Sequence, residues 1–76
     1  MNTKNIAPSI LHTRLTHIEV DGAYAPDFRR LMRDERQALG IALQSGDAAR
    51  IAAARAETLR VCTMWGVEIA DTRVAV

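Results

Sequence analysis

Arg29, Arg33 and Arg36 recur at steps of four and three residues. On a helix that spacing puts three guanidinium groups on one side, with Arg30 near the edge. A guanidinium fork pairs with carboxylates and phosphates. The strip therefore suits an acidic protein surface or nucleic acid. A solvated helix face carries the same pattern, here helped by an Arg30–Asp34 pair. Cations near a helix start also oppose the macrodipole. Nine of the ten basic residues are Arg. A GC-rich genome favours that choice, and so does recognition of oxyanions.

Other side chains qualify less directly. Glu35 lies inside an apolar stripe, seven residues after Phe28 and four before Leu39. Its stem can pack while the carboxylate reaches water. Alternatively it is an interfacial carboxylate paired with Arg55 or Arg60 of its own or another chain. Cys62 is in helical register with Leu59 and Trp65 and reads as a small core hydrophobe. A nucleophilic cysteine would want a histidine and an activating environment. His12 and His17 are five apart, about 140° round a helix or on opposite faces of a strand, so they make no local metal pair. Glycine-rich phosphate loops, paired catalytic carboxylates, a nucleophile elbow and zinc spacings are absent. No catalytic residue, metal or cofactor is expected, and no enzyme.

These residues need positioning, and residues 26–65 are expected to do it as an antiparallel helical hairpin. Apolar residues at 28, 31, 32, 38, 39, 42 and 43 follow the 3.6-residue period. Pro26 and Asp27 suit a helix start, Gly46 a helix stop, and Asp47 the next cap. The second helix runs from Ala48 to about Trp65. A turn of about three residues leaves the two helices antiparallel. Near the turn, Ala48, Ala49, Ala52, Ala53, Ala54 and Ala56 are expected to face Leu39, Ile41 and Leu43. At the open end Phe28, Leu31 and Met32 lie opposite Leu59, Val61, Met64 and Trp65. Apolar surface remains there for the terminal segments or a second subunit to cover.

The flanks are less decided. Residues 1–8 read as a tail. Residues 9–20 are ambiguous: Leu11, Leu15 and Ile18 share a helical face, while Thr13, Thr16, Ile18 and Val20 are β-branched. A short helix over 9–18 is the favoured choice. Asp21-Gly22 is a turn signal, and Gly66 a helix stop. Residues 67–76 read as an extended tail, able to pair with residues 15–20 as a ribbon. The expected fold class is mainly α: one small domain over residues 1–76, built as a hairpin with a short N-terminal helix or strand and an extended C-terminal tail.

A helix-turn-helix reading rests on Ala42 and Gly46, four apart as in that DNA-binding motif. The resemblance ends there. Asp47 follows the glycine where an apolar residue is wanted, and Ala54 and Arg55 stand near the second such place. Only Arg50 and Arg55 could reach base edges from the first turns of the second helix.

Composition bounds the function. A 76-residue chain buries only about 60% of its unfolded surface. Half its residues are apolar, which argues against disorder. The single cysteine excludes an internal disulfide and suits a reducing compartment. No signal peptide and no run long enough to span a membrane is present, so a cytoplasmic location is expected. Net charge is +1, but residues 29–60 hold seven Arg against Asp34, Glu35, Asp47 and Glu57. The expected function is a protein–protein interaction module, an adaptor or an inhibitor that blocks a larger protein. It would self-associate as a homodimer. Phe28, Met32, Met64 and Trp65 would be apolar anchors, oriented by Arg29, Arg33 and Arg36 against an acidic or apolar partner surface. The alternative is a small dimeric DNA-binding regulator using the hairpin arginines.

Overall fold

The computed structural model describes residues 6–67 and residue 69. Its elements are α1 (Pro8–Ile18), α2 (Pro26–Ser45) and α3 (Ala48–Met64).

Each helix has a local cause. Pro8 stands in the first turn of α1, after an extended Ala7. Leu11, Leu15 and Ile18, spaced four and three, form its buried face. Thr13 and Thr16 point outward, where their hydroxyls donate to Ser9 O at 3.2 Å and His12 O at 3.1 Å. Thr13 and Thr16 thus sit on the solvent side while Ile18 turns inward, and the apolar period decides for helix. Asp21 closes the connection to α2: its Oδ1 accepts from Ala23 N at 2.9 Å. In α2, Phe28, Met32, Leu39 and Ala42 are buried. Gly46 ends it at φ 69, where a side chain would be strained. Asp47 then caps α3 by accepting from Ala49 N at 2.9 Å and Arg50 N at 3.2 Å. At the far end Gly66 takes φ 71. Gly66 N donates to Thr63 O at 3.0 Å and Val67 N to Cys62 O at 2.9 Å. This Schellman closure turns the chain back over the helix end.

The three helices pack as a bundle. Ile6, Leu11, Leu15, Ile18, Phe28, Met32, Leu39, Val61, Cys62 and Ile69 form one core. Arg55 Nε donates to Ile6 O at 2.8 Å, tying the segment before α1 to α3. The Cα radius of gyration is 11.8 Å, near the value of about 11 Å for a compact chain of this length. No helix among the described residues is long and apolar enough to cross a membrane.

The expected hairpin with an extended tail is therefore corrected to a three-helix bundle. The reason is area. The buried stripe of α2 is wider than α3 can cover, and α1 covers the remainder. Residues 6–8 are not tail, since Ile6 is 1% exposed and Pro8 begins α1. Residues 15–18 are helical, so they are not strand partners for a ribbon. Ile69, assigned to the tail, is 4% exposed and belongs to the core. Residue 68 and residues 70–76 of the expected tail lie outside the described residues. The expected alanine contact is also corrected: Ala48, Ala49, Ala52, Ala53 and Ala56 face solvent. Thr58, Val61 and Cys62 form the buried face of α3 instead, because the bulkier side chains bury more area.

Leu39→Ala is expected to lower the unfolding free energy by about 2–5 kcal/mol. Asp47→Ala should cost about 1 kcal/mol through the lost cap. Ile41→Ala, at an exposed position, should stay within about 0.5 kcal/mol. Urea titration followed by circular dichroism measures all three.

Candidate functional site

The arginine strip forms on α2, and α1 divides it. At about 100° per residue, Arg29 and Arg36 turn toward one flank of the Phe28 stripe, with Arg33 farther round toward solvent. That flank meets α1. Arg36 is not exposed as expected. Its Nε and Nη2 both donate to Glu19, Nη2 to Oε1 at 3.3 Å, in a two-pronged pair only partly open to solvent. Arg29 Nε donates to Tyr24 O at 3.2 Å, which holds its guanidinium in place. Arg30 reaches Asp27 at 3.4 Å, and Arg33 comes only to 3.9 Å from Asp34. Arg29, Arg30 and Arg33 line one cavity of about 280 Å³ with Pro26 and Glu19.

Phe28 and Met32 are placed inside the core, at 2% and 0% exposure, with no surface to offer a partner. Met64 and Trp65 are on the surface, at 68% and 47%. Trp65 leans on Phe28, ring centroids 5.4 Å apart, and Phe28 on Tyr24 at 5.6 Å. Arg60 Nη1 lies 3.0 Å from Met64 Sδ. Met64 and Trp65 stand at the end of α3 beside Arg60, whereas Arg29 and Arg36 leave α2 on the side that meets α1 and its connection.

Glu35 faces α3 from the other edge of the stripe. Within the chain Arg60 acts on it through its charge, without an ion pair to it among the described residues. Thr58 Oγ1, itself 1% exposed, donates to Glu35 Oε1 at 3.2 Å. Arg60 instead takes Glu57 at 2.6 Å and holds that carboxyl below its usual range. Desolvation raises the Glu35 carboxyl above its usual range. The Thr58 hydrogen bond and the Arg60 charge oppose the shift, and Glu57 and Asp34 add to it. Next to it, Cys62 Sγ sits 3.7 Å from Met32 Sδ. Burial pushes the Cys62 thiol up to about 11. Buried against Met32, the thiol packs as a small hydrophobe.

His12 packs against Gly40, where an added Cβ would stand 3.2 Å from His12 Nε2. His17 is exposed. Among the described residues no three His, Cys, Asp or Glu converge as metal ligands. The sequence does not single out Glu19, Tyr24 or Gly40, and Ile41, expected against the alanines of α3, is instead 68% exposed. A glycine inside a strong helix pattern was the available signal, since it marks a close approach.

Glu35→Gln should keep the Thr58 bond and remove the charge. A raised carboxyl favours folding while protonated, and that contribution is lost as pH rises from the ordinary carboxyl range through the raised value. The variant should therefore be more stable than the parent at pH 7, with the gap shrinking below the ordinary carboxyl range. Equilibrium unfolding at several pH values reads this. Cys62 should resist a thiol reagent at neutral pH until denaturant is added. Comparison with family models, curated proteins and solved structures finds no match, so function is argued from these surfaces alone.

Proposed function

We propose that this chain is a protein–protein interaction module, an adaptor or an inhibitor of a larger protein, working in a reducing, cytoplasmic setting and self-associating as a homodimer. The observation that carries the reading is the Met64–Trp65 end of α3. Neither side chain is among the buried core residues. Trp65 is nevertheless fixed on Phe28 and left half open, with Met64 and Arg60 beside it. Trp, Met and Arg are the residue types enriched where proteins bind each other, and a pre-placed aromatic loses little entropy on docking. The basic flank of α2 supplies a second, acid-seeking face, which suits an adaptor. No observation favours the DNA-binding alternative, whose phosphate contacts would need a broader positive surface.

Trp65 is the sole tryptophan, so its emission reports on this end alone. Light scattering and emission spectra should be recorded together from about 1 to 100 μM protein. The expected result is a dimer at high concentration with a blue-shifted emission, both abolished in Trp65→Ala. A monomer with constant emission throughout would overturn self-association. DNA binding that falls steeply between about 50 and 200 mM salt would support the alternative instead.

A further inference from the structure

The seam between α1 and α2 holds two cavities on the same outer flank. One is the arginine cavity of about 280 Å³. The other, about 360 Å³, is lined by His12, Arg36, Gln37, Gly40, Ile41 and Gln44. The Arg36–Glu19 ion pair joins them, since Arg36 walls the second and Glu19 the first. The seam is asymmetric. One end carries Arg29, Arg30 and Arg33. The other carries Ile41, 68% exposed, between the amides of Gln37 and Gln44. Gly40 forms the floor beside His12, where a larger residue would fill the space. Arg30 and Ile41 are eleven residues apart on one helix, or about 16 Å.

The charges at the basic end are incompletely matched. Glu19 already takes both prongs of Arg36, and Asp27 takes Arg30. Asp34 stands at 3.9 Å from Arg33, and no carboxylate among the described residues pairs with Arg29. Arg29 is held in place by Tyr24 O. These cations also crowd the positive end of the α2 dipole, which an incoming anion would relieve.

We propose that this seam is a docking groove for an acidic amphipathic helix of another protein. Carboxylates at one end of that helix pair with Arg29, Arg30 and Arg33. An aliphatic side chain two to three turns away packs on Ile41 and Gly40. The two cavities follow α2, with Glu19 closing the first and His12 the second on the side of α1, and their span suits a helical segment bound in the helix-in-groove mode. Charge complementarity selects the occupant. Glu19 lines the basic end and Asp27 and Asp34 stand against Arg30 and Arg33, so the excess positive charge there is small, enough for one or two carboxylates and too little for a chain of phosphates. The seam lies on the flank of α2 away from Trp65 and does not depend on self-association.

The test is selection from a phage library of random peptides of about 16 residues, a helix of about 24 Å. The wild-type chain is the bait, and the Arg30→Glu/Arg33→Glu double variant is a soluble competitor. A recovered peptide is then synthesised and titrated by fluorescence anisotropy. The expected peptides carry clustered Asp or Glu two to three turns from an aliphatic residue. Binding should weaken at least tenfold in the double variant and in Ile41→Ser, and stay within twofold in Ala52→Ser on the far face of α3. These positions are exposed, and far-ultraviolet circular dichroism checks that the variants fold. Amide chemical shifts of the wild-type chain give a reading that needs no variant. They should move along residues 29–44. Failure to recover any peptide, recovery of peptides without acids, or shifts confined to residues 60–65 would each overturn the proposal. The last outcome would leave the Trp65 reading standing.

Discussion

The whole arrangement depends on one stripe of α2. Phe28, Met32, Leu39 and Ala42 bury one face of the helix along most of its length. One neighbouring helix cannot cover it. α3 contributes Thr58, Val61 and Cys62, clustered toward one end. Leu11, Leu15 and Ile18 of α1 close the other flank, and Ile6 and Ile69 seal the edges. At about 25 cal/mol per Å² of apolar surface, leaving such a stripe open would cost several kcal/mol in a chain with little to spare.

Polar contacts then hold the short segments that the core recruits. Arg55 binds the carbonyl of Ile6, and Arg36 grips Glu19 at the end of α1. Both arginines draw flanking chain onto the hairpin. A strip that looks like a binding surface on an isolated helix is thus shared between fold and surface. Arg36 belongs to the first, and Arg33 to the second. Arg29 serves both, since its Nε anchors the α1–α2 connection while the rest of the guanidinium lines a cavity.

The same division separates the apolar candidates. Phe28, Met32, Met64 and Trp65 resemble one another in composition, and two vanish into the core while two remain outside. The interior stays selective about polarity. Its buried Thr58 hydroxyl is matched by Glu35, and no buried side-chain polar atom among the described residues lacks a partner. The carboxylate so used is desolvated and held above its ordinary range.

By itself the sequence determined the helical period of residues 26–45, the stops at Gly46 and Gly66, the Asp47 cap and the apolar face of Leu11, Leu15 and Ile18. Those are local effects, set by φ preferences, capping oxygens and spacing within a few residues. Only the tertiary structure decided that α1 packs as a third helix. It also decided that Arg36 turns to Glu19, that the alanines of α3 face water, and that the arginines and Trp65 lie on different flanks. These follow from which faces bury the most apolar area together. That competition runs between segments 17 to 49 residues apart, as for Arg36 with Glu19 and Arg55 with Ile6, and no local pattern contains it.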